Sequence, residues 1–105
     1  MHKHVEWDDP GKYSVKTFFA SDPDDYPAAY PGRIICGHYR GITVRVRVEA
    51  YVGDDTSIGE VVALIDPQTG ERLPVHDKLA LGDMVRLPDA MRAIESHLPD
   101  DEDAD

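Results

Sequence analysis

Cys36 and His38 stand two residues apart in a β-forming stretch, so on a strand both project from one face. With His76 they offer three soft or borderline ligands, the donor types that zinc takes. A closed zinc centre wants four ligands at recognisable spacing, and Cys36 is the single cysteine. The expectation is therefore no metal and no cofactor, with a buried thiol and a surface imidazole. As nucleophile and base the same pair is poorly placed. Neighbours along one strand face lie about 6.5 Å apart at the backbone, and no third group orients the imidazole.

The arginines make a stronger case. From Tyr26 to Val48 there is no acid, while Arg33, Arg40, Arg45 and Arg47 give the segment a local charge of +4. Arg45 and Arg47 share a strand face. They can balance neighbouring carboxylates such as Glu49 and Glu60, or clamp the phosphate or carboxylate of a ligand. Upstream, Asp22, Asp24 and Asp25 accompany Tyr26 and Tyr30 in a segment broken by Pro23, Pro27 and Pro31. The turn glycine and distal glutamate of a calcium loop are missing, which leaves a solvated loop or a contact surface. The candidate partner-binding residues are Arg40, Arg45, Arg47, Tyr26 and Tyr30.

Asp55-Thr56-Ser57-Ile58-Gly59 resembles part of the Asp-x-Ser-x-x-Gly turn of PilZ domains. Asp55 and Ser57 match, Gly59 comes one position early, and Glu60 stands where the pattern's glycine falls. The family's upstream Arg-x-x-x-Arg pair has no counterpart, because Arg40 and Arg45 are five apart and Arg45 and Arg47 two. The resemblance implies a small barrel that binds cyclic di-GMP through this turn. Without it, the five residues read as a polar turn between strands.

The elements that must position these groups are mostly strands. In Ile42 to Val52 the even positions are all apolar and the odd ones are Thr43, Arg45, Arg47, Glu49 and Tyr51, a period of two. Arg33 to Tyr39 forms a strand before it, joined through a tight Arg40-Gly41 turn. Gly53 to Asp55 turns the chain into a buried strand over Gly59 to Ile65, and Asp66 to Gly70 forms a hairpin loop from which Glu71 to Val75 returns antiparallel. Gly82-Asp83 opens a last strand through Leu87, with Val85 and Leu87 on one face. Tyr13 to Phe19 is a further strand candidate. Met91, Ile94 and Leu98 recur at helical spacing, so a short amphipathic helix is expected over Pro88 to Leu98; the competing reading is a tight turn at Pro88 to Ala90 and a strand from Arg92. These elements predict a mainly β fold, a small antiparallel barrel or curled sheet of five to six strands with one short C-terminal helix.

The chain has 105 residues, 41% of them hydrophobic, which suits one domain over 1–98. Residues 99–105 are read as a disordered acidic tail. Its neighbourhood holds six of the 21 acids in the last eleven residues, and they account for much of the net charge of −10. An acidic protein is disfavoured as a general nucleic-acid binder. The longest apolar run, Val61 to Ile65, falls far short of the ~20 residues of a spanning helix, so no membrane partner is expected. One cysteine fits a reducing, cytoplasmic location. Without a convincing acid, base, nucleophile or phosphate loop, the sequence points to a non-catalytic binding or regulatory module whose partner is another protein. Two alternatives stand beside it: an acidic inhibitor that mimics nucleic acid, and a small barrel that binds an anionic nucleotide.

Overall fold

The clearest local instruction in the chain is the turn at Arg40-Gly41, where both residues have positive φ, 47° and 84°. That pair of left-handed conformations matches the right-handed twist of a two-residue hairpin. It joins β1 (Ile34–Tyr39) to β2 (Ile42–Val52), with Tyr39 opposite Ile42 and Ile34 opposite Arg47. The protein is described by a computed structural model that covers residues 5–11, 14–15, 30–53 and 55–93.

Five antiparallel strands form one curled sheet in the order β6-β3-β2-β1-β7, a half-barrel. Here β3 is Thr56–Ile65, β6 is Met84–Pro88 and β7 is Arg92–Ala93. A separate two-stranded ribbon pairs β4 (Val75–His76) with β5 (Leu79–Ala80). The concave side carries the core: Ile35 and Tyr39 from β1, Val44, Val46 and Val48 from β2, Val61 and Leu64 from β3, and Val85 and Leu87 from β6. Val5, Ile42 and Leu79 complete it, with the half-buried Trp7, Leu73 and Met91 packed against it. β-branched side chains at alternate positions suit this half-covered pleated surface. No helix among the described residues is long and apolar enough to cross a membrane.

Two bulges interrupt the β2–β3 ladder and redirect side chains. Between Val48↔Gly59 and Ala50↔Ile58, Glu49 is the extra residue on β2. Between Arg45↔Ala63 and Val46↔Val61, Val62 is the extra residue on β3. One unpaired residue reverses the facing of all that follow. Full burial of the expected apolar face ends at Val48, although exposure still alternates to Val52, with Glu49 and Tyr51 exposed. Beyond Val48, Tyr51 shares a face with the buried Ser57, its register partner, while Ala50 and Val52 are only half-buried. In β3, Val61 and Leu64 both reach the main core despite lying three apart, and Ala63 and Ile65 form a small cluster of their own.

The helix expected over Pro88 to Leu98 is absent over its described part. Pro88 ends β6, Asp89–Met91 make a single 3-10 turn, and Arg92 starts β7, which pairs with β1 at Cys36↔Ala93 and Gly37↔Arg92. The open edge of β1 offers backbone partners that an amphipathic helical turn would leave unused, so closing the sheet overrides the local spacing. Residues 94–98 and the expected acidic tail lie outside the described residues. Of the strand expected over Tyr13 to Phe19, Ser14 makes one bridge to Ala93 but Val15 is helical, and the other residues lie outside those described. The return strand over Glu71 to Val75 shortens to a bridge between Ile65 and Arg72 flanked by two backbone bonds, Asp66 N to Glu71 O and Leu73 N to Leu64 O (both 2.8 Å). Pro74 has no N–H to continue the ladder, and Val75 pairs with Ala80 instead.

Candidate functional site

The structure scatters the expected arginines. Arg40 sits at the β1–β2 hairpin tip, facing a second hairpin tip at Asp77-Lys78. Its Nε lies 3.0 Å from Asp77 Oδ2, which also accepts a hydrogen bond from the Tyr39 hydroxyl at 2.9 Å. The Arg40 guanidinium lies 5.9 Å from the Tyr39 ring centre, and His76 Nε2 is 3.1 Å from the Arg40 carbonyl oxygen. The two tips are thus latched together. Asp77 is held below the ordinary aspartate range, first by the Tyr39 hydroxyl and then by the charge of Arg40. Arg40 is raised by its interactions with Tyr39 and Asp77.

Arg47 is exposed on the convex face and answered by two carboxylates, Glu60 at 2.6 Å and Glu49 at 3.4 Å. These are the acids that the sequence names for charge balance. Arg45, one pleat away, is half-buried rather than fully on the solvent side. Its register partners are the small, buried Cys36 and Ala63, over which a long side chain can lie. Tyr30 reaches the Arg47 end of the sheet through Arg33. Val48 N donates to Arg33 O (2.8 Å) and Ile34 pairs with Arg47, while the Arg33 guanidinium stacks 5.3 Å from the Tyr30 ring centre. Tyr30 is 53% exposed and Ile34 45%. Tyr26 lies outside the described residues.

The three soft ligands do not converge. Cys36 is buried. His38 lies toward a cleft beside Asp8, whereas His76 belongs to the hairpin latch. Among the described residues no group of three or more His, Cys, Asp or Glu is arranged to hold a metal ion. The cleft encloses about 350 Å³ and is lined by Asp8, Asp9, His38, Gly41, Ile42, Thr43 and Pro67.

A further cluster escaped sequence reading. Asp89 and Arg92 are 6% and 3% exposed, with Arg92 Nη1 3.9 Å from Asp89 Oδ1, and the Tyr51 hydroxyl donates to Asp89 Oδ2. It depends on the Glu49 bulge, beyond which the exposed Tyr51 reaches Asp89 with its hydroxyl, and on the 3-10 turn. Neither leaves a mark in residue spacing. The PilZ-like stretch is not a turn: Asp55 ends the bend, and Thr56 to Gly59 lie within β3 with Ser57 fully buried. A buried serine in a paired strand cannot present its hydroxyl to a nucleotide. Set against protein-family models, curated proteins and solved structures, the chain matches none of them.

Proposed function

We propose that this domain is a non-catalytic protein-binding module whose contact surface is the Tyr30, Arg33, Ile34 and Arg47 end of the β1–β2 sheet. The observation that supports it is the exposure of Tyr30 and Ile34 beside two arginines whose backbones are fixed by the β1–β2 ladder. Tyrosine and arginine carry much of the energy at protein interfaces, and a tyrosine stacked under a guanidinium loses little further entropy on binding. An anionic nucleotide is less well served. Arg47 already faces Glu49 and Glu60, and Arg40 faces Asp77 at the other end of β1. Any acidic ligand must first displace those carboxylates.

The test is affinity capture from the native cell extract at low and high salt, comparing the wild-type chain with Tyr30→Ala, Ile34→Ser. Both side chains lie outside the core, so the variant should melt within a few degrees of the parent while losing the retained protein. Equal retention by parent and variant would reject this surface.

A further inference from the structure

We infer that the cleft between the β1–β2 turn and the Asp66–Gly70 loop is a binding site for a primary ammonium group on a short apolar stem. It is separate from the Tyr30 surface and does not depend on it. Three chain segments form its walls, and each is tied in place. Asp8 N donates to His38 O at 2.7 Å, which holds the N-terminal segment along the edge of β1. His38 and Thr43 face each other across the β1–β2 ladder, and Thr43 is 3% exposed. Pro67 comes from a loop closed by Gly70 N to Asp66 O (2.7 Å) and Gln68 N to Asp66 Oδ1 (2.9 Å). The cleft is therefore preformed, and its volume of about 350 Å³ falls within the ~300–1,000 Å³ range of small-ligand pockets.

Its chemistry selects the sign of the ligand. Among the described residues its lining carries two carboxylates, Asp8 and Asp9, and no lysine or arginine. Asp8 Oδ2 accepts from Gly41 N at 3.0 Å, so this carboxylate is oriented by the hairpin turn itself. The adjacent cation, Arg40, is bound to Asp77. Ile42 and Pro67 supply apolar wall for a hydrocarbon stem, and the absence of a metal-type cluster among the described residues favours an organic cation over a metal ion. A carboxylate fixed at the mouth of a partly apolar cleft is the arrangement that recognises a lysine side chain or a small primary amine.

The experiment titrates the whole chain with n-butylammonium and, as neutral counterpart, n-butanol, following the backbone amide resonances of Gly41, Ile42 and Thr43. A capped Ala-Lys-Ala peptide forms a third arm. Saturable shifts at these amides with butylammonium and not with butanol are expected, weakened by 0.5 M salt and reduced about tenfold or more in affinity by Asp8→Asn, a change that removes the charge but keeps an acceptor for Gly41 N. Asp9→Asn gives the same reading should Asp8→Asn not fold. Tighter binding of the peptide assigns the ammonium to a partner's lysine, and equal or weaker binding assigns it to a free amine. Shifts that fail to saturate, that butanol reproduces, or that both carboxylate variants leave unaltered would overturn the inference.

Discussion

Replacing Gly59 by Ala tests the architecture at its tightest point. A β-carbon built at Gly59 would stand 2.3 Å from the Arg47 carbonyl oxygen, 2.7 Å from Val46 Cγ1 and 2.9 Å from the Arg47 carbonyl carbon. An unstrained contact needs about 3.5 Å, so β2 and β3 must part locally by roughly 1 Å. Two of the obstructing atoms are backbone, and a side-chain rotation cannot relieve them. A separation of that size carries ladder bonds of about 2.9 Å past their working range. Losing two of them at ~0.5–1.5 kcal/mol each, on top of overpacking worth ~1–3 kcal/mol, gives about 2–6 kcal/mol in all. At ~4–8 °C per kcal/mol for a domain of this size, the melting temperature should fall by at least about 8 °C and by as much as about 45 °C. Circular dichroism melts of parent and variant measure it directly. Gly41→Ala is the control: nothing lies within 4 Å of its β-carbon, but its φ is +84°, so only backbone strain of ~1–2 kcal/mol is expected. A Gly59→Ala melt within about 4 °C of the parent, or a cost no larger than that of Gly41→Ala, would refute the close approach of β2 and β3.

At Gly37 a β-carbon would meet Leu87 Cδ1 and Trp7 Cε3 at 3.0 Å, side-chain atoms that can yield, so Gly37→Ala should cost only about 1 kcal/mol while shifting the Trp7 fluorescence maximum; an unchanged spectrum would contradict the packing. Asp77 titrates below the ordinary aspartate range in the folded chain. Its contribution to stability is therefore present above the unfolded-state pKa and is lost as pH falls through the folded one, and carboxyl-resolved NMR titration should find its midpoint below that of a model aspartate. A midpoint at or above the ordinary value would show that the two hairpin tips are not latched. Asp89→Ala removes one member of a buried pair and leaves the Arg92 charge inside, so a loss of ~3–5 kcal/mol is expected in urea unfolding. Asp89→Leu together with Arg92→Leu should restore much of it, and a double variant less stable than Asp89→Ala would count against a charge-pair account.

Much of the sheet was legible because its signals are local. The Arg40-Gly41 turn needed only a pair of residues tolerant of positive φ between two β-rich runs, and Val44, Val46 and Val48 needed only the period of two. The balance of Arg47 by Glu49 and Glu60 was also readable: one acid is two residues away on the same strand, and the other stands opposite once β3 pairs with β2. The candidate surface was half legible. Tyr30 and Arg47 were named from residue type, but their lying at one end of the sheet depends on the backbone of Arg33 pairing with Val48.

Composition and alternation alone determined that this chain builds an antiparallel β fold, where its first hairpin turns, and which face of β2 is apolar as far as Val48. Tertiary structure decided the rest. The bulges at Glu49 and Val62 arise from fitting two strands together and cannot be seen in either one, yet they choose which of Val61, Ala63, Leu64 and Ile65 enters the main core and turn Tyr51 toward Asp89. Met91 carries helical spacing, but extending the chain at Arg92 gives β7 a partner in β1, and backbone pairing across a closing sheet outweighs a weak amphipathic preference. The same holds for Asp77, Asp89 and Asp8. Each is an ordinary surface carboxylate by sequence, and each acquires its role from a residue more than thirty positions distant, or, for Asp89, from Tyr51 and from a turn that exists only because the sheet closes.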